Sequence, residues 1–134
     1  MEKIFPRNLD SLEDIFQFVS TFAEVNHLSG LIADHLYLMI EEIFTNLLKY
    51  NPQNQQAILI NLNQNWKEAE ITVIDSGSKP FDIKKATDVD LNQPLRNRKP
   101  GGFGLHLVKQ LATQLDYQYR DGVTKIVITR KLEE

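Results

Sequence analysis

The chain has 134 residues, of which 42% are hydrophobic and 25% charged, the length and balance of one ordinary globular domain. It has no cysteine, which excludes disulfides, thiolate metal sites and a cysteine nucleophile. Its 15 basic and 18 acidic residues leave a net charge of −3, unlike the basic balance usual in nucleic-acid binders, and no apolar run approaches the roughly 18 residues of a membrane span. The opening residues, Met1 to Arg7, carry no secretory apolar stretch, so a soluble, cytoplasmic protein with no membrane or direct nucleic-acid partner is the expectation.

Residues 3–7 read as a short edge strand, with Pro6 marking the edge. Ser11 then reads as a helix N-cap. Leu12, Ile15, Phe16, Val19, Phe22 and Ala23 follow at helical spacing and predict a helix over about 11–27. A second helix is predicted over about 31–50, with Leu36, Met39, Ile40, Ile43, Phe44, Leu47 and Leu48 on its apolar face, and Pro52 stops it. Ala57 to Asn63 and Ala69 to Asp75 alternate as an antiparallel pair around a turn at residues 63–65. Ser76 to Pro100 has no sustained period. Loops this long in a compact domain are uncommon and often bind ligands. A third helix is predicted from near Gly102 to about Leu115. Tyr117 to Arg120 and Val123 to Lys131 then form a hairpin about Asp121-Gly122. The order β-α-α-β-β-loop-α-β-β predicts an α+β two-layer sandwich, with a mixed, mostly antiparallel sheet and helices on one face.

Three segments hold the candidate chemistry. Gly101-Gly102-Phe103-Gly104 opens a helix, where bare N–H groups and the helix dipole make an anion site; a plain hinge is the alternative. A Walker A loop is excluded because Leu105-His106 follows the glycines. A dinucleotide fingerprint is excluded because about 25 residues separate them from the preceding strand. Glu42 and Asn46 are four apart and share a helix face. They form either a structural hydrogen-bonding pair or a base beside a carbonyl metal ligand. Asp75-Ser76-Gly77 follows a strand directly and reads either as a turn or as a ligand-amine acceptor with space beside it.

Taken together, the segments resemble the GHKL, or Bergerat-fold, ATPases shared by gyrase and histidine kinases. Glu42-x-x-x-Asn46 resembles the N box, Asp75-x-Gly77-x-x-Phe81-Asp82 the first glycine box, and Gly101-Gly102-Phe103-Gly104-Leu105 the second. Phe-Asp after the first glycine box is most similar to the bacterial anti-sigma factor serine/threonine-protein kinases. The resemblance runs from Ser11 to about Lys131 and implies a single histidine kinase-like ATPase domain over 1–134. The implied cofactors are ATP and Mg²⁺.

The resemblance also implies the residue roles. Asn46 would bind Mg²⁺ and Glu42 would be the general base. Asp75 would accept the adenine amine, Gly77 would lie against the base, and Phe81 would also bind the nucleotide. Gly102 and Gly104 would cradle the phosphates, Gly101 and Leu105 would also bind the nucleotide, and Thr124 would add a water-mediated adenine contact. Residues 83–100 would be the ATP lid, with Arg96, Arg98 and Lys99 as candidates for the γ-phosphate or a partner. Tyr50 stands where the family often has His, and Lys99-Pro100 where Arg is common. The implied partners are a STAS-domain anti-anti-sigma protein, a sigma factor or other regulator, and a second copy in a homodimer. A non-catalytic, nucleotide-gated binding protein is the alternative.

Overall fold

Ile58, Ile60 and Leu62 recur every second residue, as do Ile71 and Val73 and then Ile126 and Ile128, and this period of two fixes which sheet face is covered. The computed structural model describes residues 1–78 and 108–132. Its elements are β1 (Glu2–Phe5), α1 (Ser11–Val25), α2 (Gly30–Tyr50), β2 (Ile58–Gln64), β3 (Glu68–Ser76), β4 (Gln114–Arg120) and β5 (Val123–Lys131). The strands form one sheet in the order β1-β2-β3-β5-β4. All four pairings are antiparallel, so among the described residues the mixed pairing expected from sequence is absent. The register places Ile60 opposite Val73, and Val73 opposite Ile126, in one buried row. The apolar faces of α1 and α2 share a core with this side of the sheet, giving the α+β two-layer sandwich.

The local corrections have physical causes. Asp10, not Ser11, occupies the N-cap position of α1 and makes no side-chain cap, while the Ser11 hydroxyl donates instead to the Pro6 carbonyl at 2.6 Å. Phe18 takes the core place beside Phe5, ring centroids 5.4 Å apart, and Phe16 sits outside, edge-on to Tyr37. Ser29 caps α2 by accepting from the Ile32 amide at 3.2 Å. β1 ends before Pro6.

The third helix is described only at residues 108–111, and its expected start near Gly102 lies outside the described residues. It ends before the expected Leu115 because strand pairing takes over. The Thr113 amide donates to the Thr129 carbonyl at 2.7 Å, and Leu115 and Tyr117 then alternate toward the core. Among the described residues, no helix is long and apolar enough to cross a membrane.

α1 closes with a Schellman pattern. The Leu28 amide donates to the Ala23 carbonyl, and the His27 amide to the Glu24 carbonyl, with His27 at φ 56°. A side chain in that left-handed conformation costs about 1–2 kcal/mol, and glycine's greater freedom in the unfolded chain offsets part of the gain on replacement. His27→Gly should therefore stabilise the fold by about 0.5–1 kcal/mol in urea unfolding. A loss of stability would mean that His27 makes a compensating contact.

Candidate functional site

The wide apolar face of α2 carries two polar exceptions. Asn46 is buried, and its Nδ2 donates to the Glu42 carbonyl one turn back at 2.6 Å. Its Oδ1 is also buried and has no partner among the described residues. An orphaned carbonyl oxygen is the donor that a hard divalent cation takes, so this atom fits Mg²⁺. The described residues hold no cluster of three His, Cys, Asp or Glu that could bind a metal. Glu42 is half-buried, and burial, reinforced by the neighbouring Glu41 charge, raises its carboxyl above the ordinary range. Glu41 in turn accepts from the Tyr37 hydroxyl at 3.0 Å. Burial, then that bond and the Glu41 charge, push the Tyr37 phenol up to about 12.

The second group lies at the end of β3. Asp75 is fully buried, between Ile58 on β2 and Thr124 on β5. Arg7, in the connection between β1 and α1, pairs with Asp75 Oδ1. The same guanidinium donates to the Gln56 carbonyl at 3.1 Å and the Leu47 carbonyl at 3.2 Å. Asn54 Nδ2 reaches Asp75 Oδ1 at 3.4 Å and the Ser76 carbonyl at 2.8 Å. Asp75 Oδ2 is buried with no partner among the described residues. Burial raises the Asp75 carboxyl above its ordinary range, while the Arg7 hydrogen bond and charge pull it back down.

Gly77 follows in the left-handed region, at φ 70°. A Cβ there would stand 2.5 Å from Gln56 Nε2, at the free end of a flexible side chain, so it is the positive φ that makes the position suit glycine. Thr124 is fully buried, its hydroxyl 2.7 Å from that of Ser78. Tyr119 donates to the Ser78 carbonyl at 3.2 Å and closes this corner. A cavity of about 240 Å³ opens beside Gly77, lined by Tyr50, Asn51, Pro52, Gln53 and Asn54.

The fold thus brings Asp75, Gly77 and Thr124 to one end of the sheet. Arg7 ties that end to the turn of α2 that holds Asn46. Phe81, Gly101, Gly102, Gly104, Leu105 and the expected lid 83–100, with Arg96, Arg98 and Lys99, lie outside the described residues. Arg7, Asn54 and Gln56 went unmarked in the sequence. Arg7 is 68 positions from Asp75, and no local pattern announces the pair.

The histidine kinase-like ATPase domain profile matches residues 5–130. The chain belongs to that family. A relative in Bordetella bronchiseptica, the serine/threonine-protein kinase BtrW, is 30% identical over 96 residues, covering 70% of this chain and 67% of BtrW. A chain of the SiaB–SiaC complex from Pseudomonas aeruginosa shares the fold, with a TM-score of 0.68 at 12% identity, covering 98% of this ATPase-family chain and 88% of that one.

Glu42 supplies a test by pH. With its native carboxyl raised, the folded state holds more protons than the unfolded state between the ordinary and the raised values. Its contribution is therefore fully present below the ordinary carboxylate range and is lost as pH rises through the raised value. Glu42→Gln should melt at or above the wild-type temperature at neutral pH, with the difference fading as the pH approaches about 4. A variant less stable than wild type at neutral pH would make Glu42 a structural hydrogen-bonding residue.

Proposed function

We propose that the protein is a Mg²⁺-ATP-dependent protein serine kinase and anti-sigma factor that phosphorylates a STAS-domain anti-anti-sigma partner. The observation that carries this reading is the pair of orphaned buried acceptors, Asp75 Oδ2 and Asn46 Oδ1, at two motif positions of an ATPase family. The likeness to a serine/threonine-protein kinase supports a protein hydroxyl as acceptor, and a structural neighbour solved in complex with a protein supports a partner switch.

In this mechanism Asp75 accepts from the exocyclic amine of adenine, and the cavity beside Gly77 and Asn54 receives the flat face of the purine. Asn46 would hold Mg²⁺ through Oδ1; the ion supplies charge stabilisation at the phosphates. Glu42 takes the proton of the substrate serine as the serine oxygen bonds to the γ-phosphorus. The bond from that phosphorus to the β–γ bridging oxygen breaks, and ADP leaves. A raised carboxyl is the better base near neutral pH, because its conjugate acid is weaker. The remaining work is positioning and charge stabilisation, as phosphoryl transfer demands. Gly102 and Gly104 are assigned to the phosphates, Phe81, Gly101 and Leu105 to the nucleotide, and Thr124 to a water-mediated adenine contact. The phosphoserine adds close to two negative charges to the partner, which then no longer competes for the sigma factor. A homodimer in the cytoplasm is part of the same reading.

Asp75→Asn keeps the size of the side chain and removes the anion. It should weaken ATP by about 1.5–3 kcal/mol in calorimetry, and GTP should bind poorly to wild type because a keto oxygen would face the carboxylate. Equal ATP affinity in the two proteins would remove Asp75 from the adenine site.

Chemistry and binding separate at α2. Glu42→Gln should retain Mg²⁺-ATP while transfer of ³²P from ATP to a STAS-domain partner falls about 10²-fold or more, whereas Asn46→Ala should lose tight nucleotide binding together with transfer. Transfer at the wild-type rate by Glu42→Gln excludes it as the base. Wild-type protein that binds ATP and phosphorylates no partner would be a nucleotide-gated switch instead of a kinase.

A further inference from the structure

Asp75 has two chemically equivalent oxygens in unequal surroundings. Oδ1 receives Arg7 and lies within reach of Asn54, while Oδ2 is buried without a partner among the described residues. Arg7 is itself almost fully buried, its side chain 5% exposed. Its fork is held at three points that belong to different parts of the chain: the Leu47 carbonyl in the last turn of α2, the Gln56 carbonyl ahead of β2, and the carboxylate at the end of β3. A guanidinium so anchored cannot follow a moving carboxylate, and the carboxylate is fixed instead.

We propose that Arg7 is a positioning residue for purine selection: it holds Asp75 as an oriented anion with Oδ2 left for the ligand, and so sets the preference for a 6-amino over a 6-keto purine. The inference rests on the nucleotide-binding reading of Asp75. Its chemistry is that of donors and acceptors. An ionised carboxylate can only accept, so it bonds the amine of adenine and opposes the keto oxygen of guanine. A protonated carboxyl can also donate, and would tolerate that keto oxygen.

Burial favours the protonated form, and Arg7 is the charged group that opposes it. Among the described residues, the other groups against Asp75 are neutral: Asn54 from the connection after α2, Ile58 on β2 and Thr124 on β5. Without Arg7 the carboxyl would take up a proton at a higher pH than it does in wild type, and discrimination would fall with it. A purely structural role for Arg7 would weaken both nucleotides alike, with no such pH dependence.

The test is calorimetry of Mg²⁺-ATP and Mg²⁺-GTP on the full chain between about pH 6 and about pH 8, comparing wild type with Arg7→Met and Arg7→Lys. Taking each variant relative to wild type at the same pH cancels titration of the triphosphate. Arg7→Met should bind ATP about tenfold or more weakly at the acid end, and its ATP-to-GTP ratio should narrow as pH falls. Arg7→Lys, which keeps the charge but not the fork, should restore most of the ratio. An ATP-to-GTP ratio in folded Arg7→Met equal to that of wild type at every pH overturns the proposal.

Should Arg7→Met fail to fold, wild type decides. The Asp75 carboxyl carbon, assigned by its absence from the NMR spectrum of Asp75→Asn, should stay at its ionised position over the same pH range, and titration within it overturns the proposal. If wild type binds no ATP, or Asp75→Asn binds it equally well, the nucleotide reading falls and this inference with it. If ATP binding depends on Asp75 but ignores Arg7, only this inference falls.

Discussion

A carboxylate with no solvent exposure at the end of a central strand is the constraint around which this end of the molecule is built. Transferring a charged group from water to a protein interior costs several kcal/mol even after relaxation, and a paired countercharge recovers part of it. Asp75 stands in that position, and Arg7 is its countercharge. The direction of its pKa shift says which effect wins. Burial outweighs the attraction of Arg7, so the carboxyl remains harder to ionise than a free one. An interaction that does not recover its own desolvation is poor material for stability alone. In the proposed nucleotide site it is the cost of presenting a fixed acceptor to adenine.

The consequences spread outward from the guanidinium. Its remaining N–H groups must find acceptors, because a buried donor left alone is expensive. One bonds the Leu47 carbonyl near the C-terminal end of α2, where the helix dipole favours a cation. Another bonds Gln56 just before β2 enters the sheet. The β1–α1 connection, the end of α2 and the approach to β2 are thereby held against β3 by one side chain. Asn54 repeats the pattern on a smaller scale: its amide joins Asp75 and the Ser76 carbonyl, while its own oxygen accepts from the Gln56 amide at 3.0 Å.

How much of this was legible in the sequence follows from the range of each interaction. Ile58, Ile60 and Leu62 announce their strand because alternation is local, and Asp121-Gly122 announces its hairpin because both residues adopt positive φ, 51° and 80°. Glu42, Asn46, Asp75 and Gly77 were visible as short motifs. Where tertiary pairing competes with local preference, the reading failed. Residues 112–115 continue a helical spacing, yet the open edge of β5 draws Thr113 and Leu115 into the sheet. Phe16 and Phe18 both fit an apolar helix, and only the position of Phe5 decides which is buried. Arg7 could not be found by spacing, since its three acceptors lie 40, 49 and 68 residues away.

The two orphaned oxygens complete the physical case. A buried acceptor without a partner costs about 1–3 kcal/mol, a large fraction of the 5–15 kcal/mol that holds a domain folded. Among the described residues Asn46 Oδ1 and Asp75 Oδ2 both lack a partner, although each side chain has a second polar atom that is satisfied, Nδ2 by the Glu42 carbonyl and Oδ1 by Arg7. In each case the bonded atom fixes the orientation of the free one. In the proposed function this arrangement is preorganisation: the reorganisation that Mg²⁺-ATP would otherwise demand is met during folding, and what remains on binding is the interaction itself. The bonds to Leu47 and Asp75 run through the same guanidinium, so one acceptor's helix and the other's carboxylate are held in a common frame before any ligand arrives.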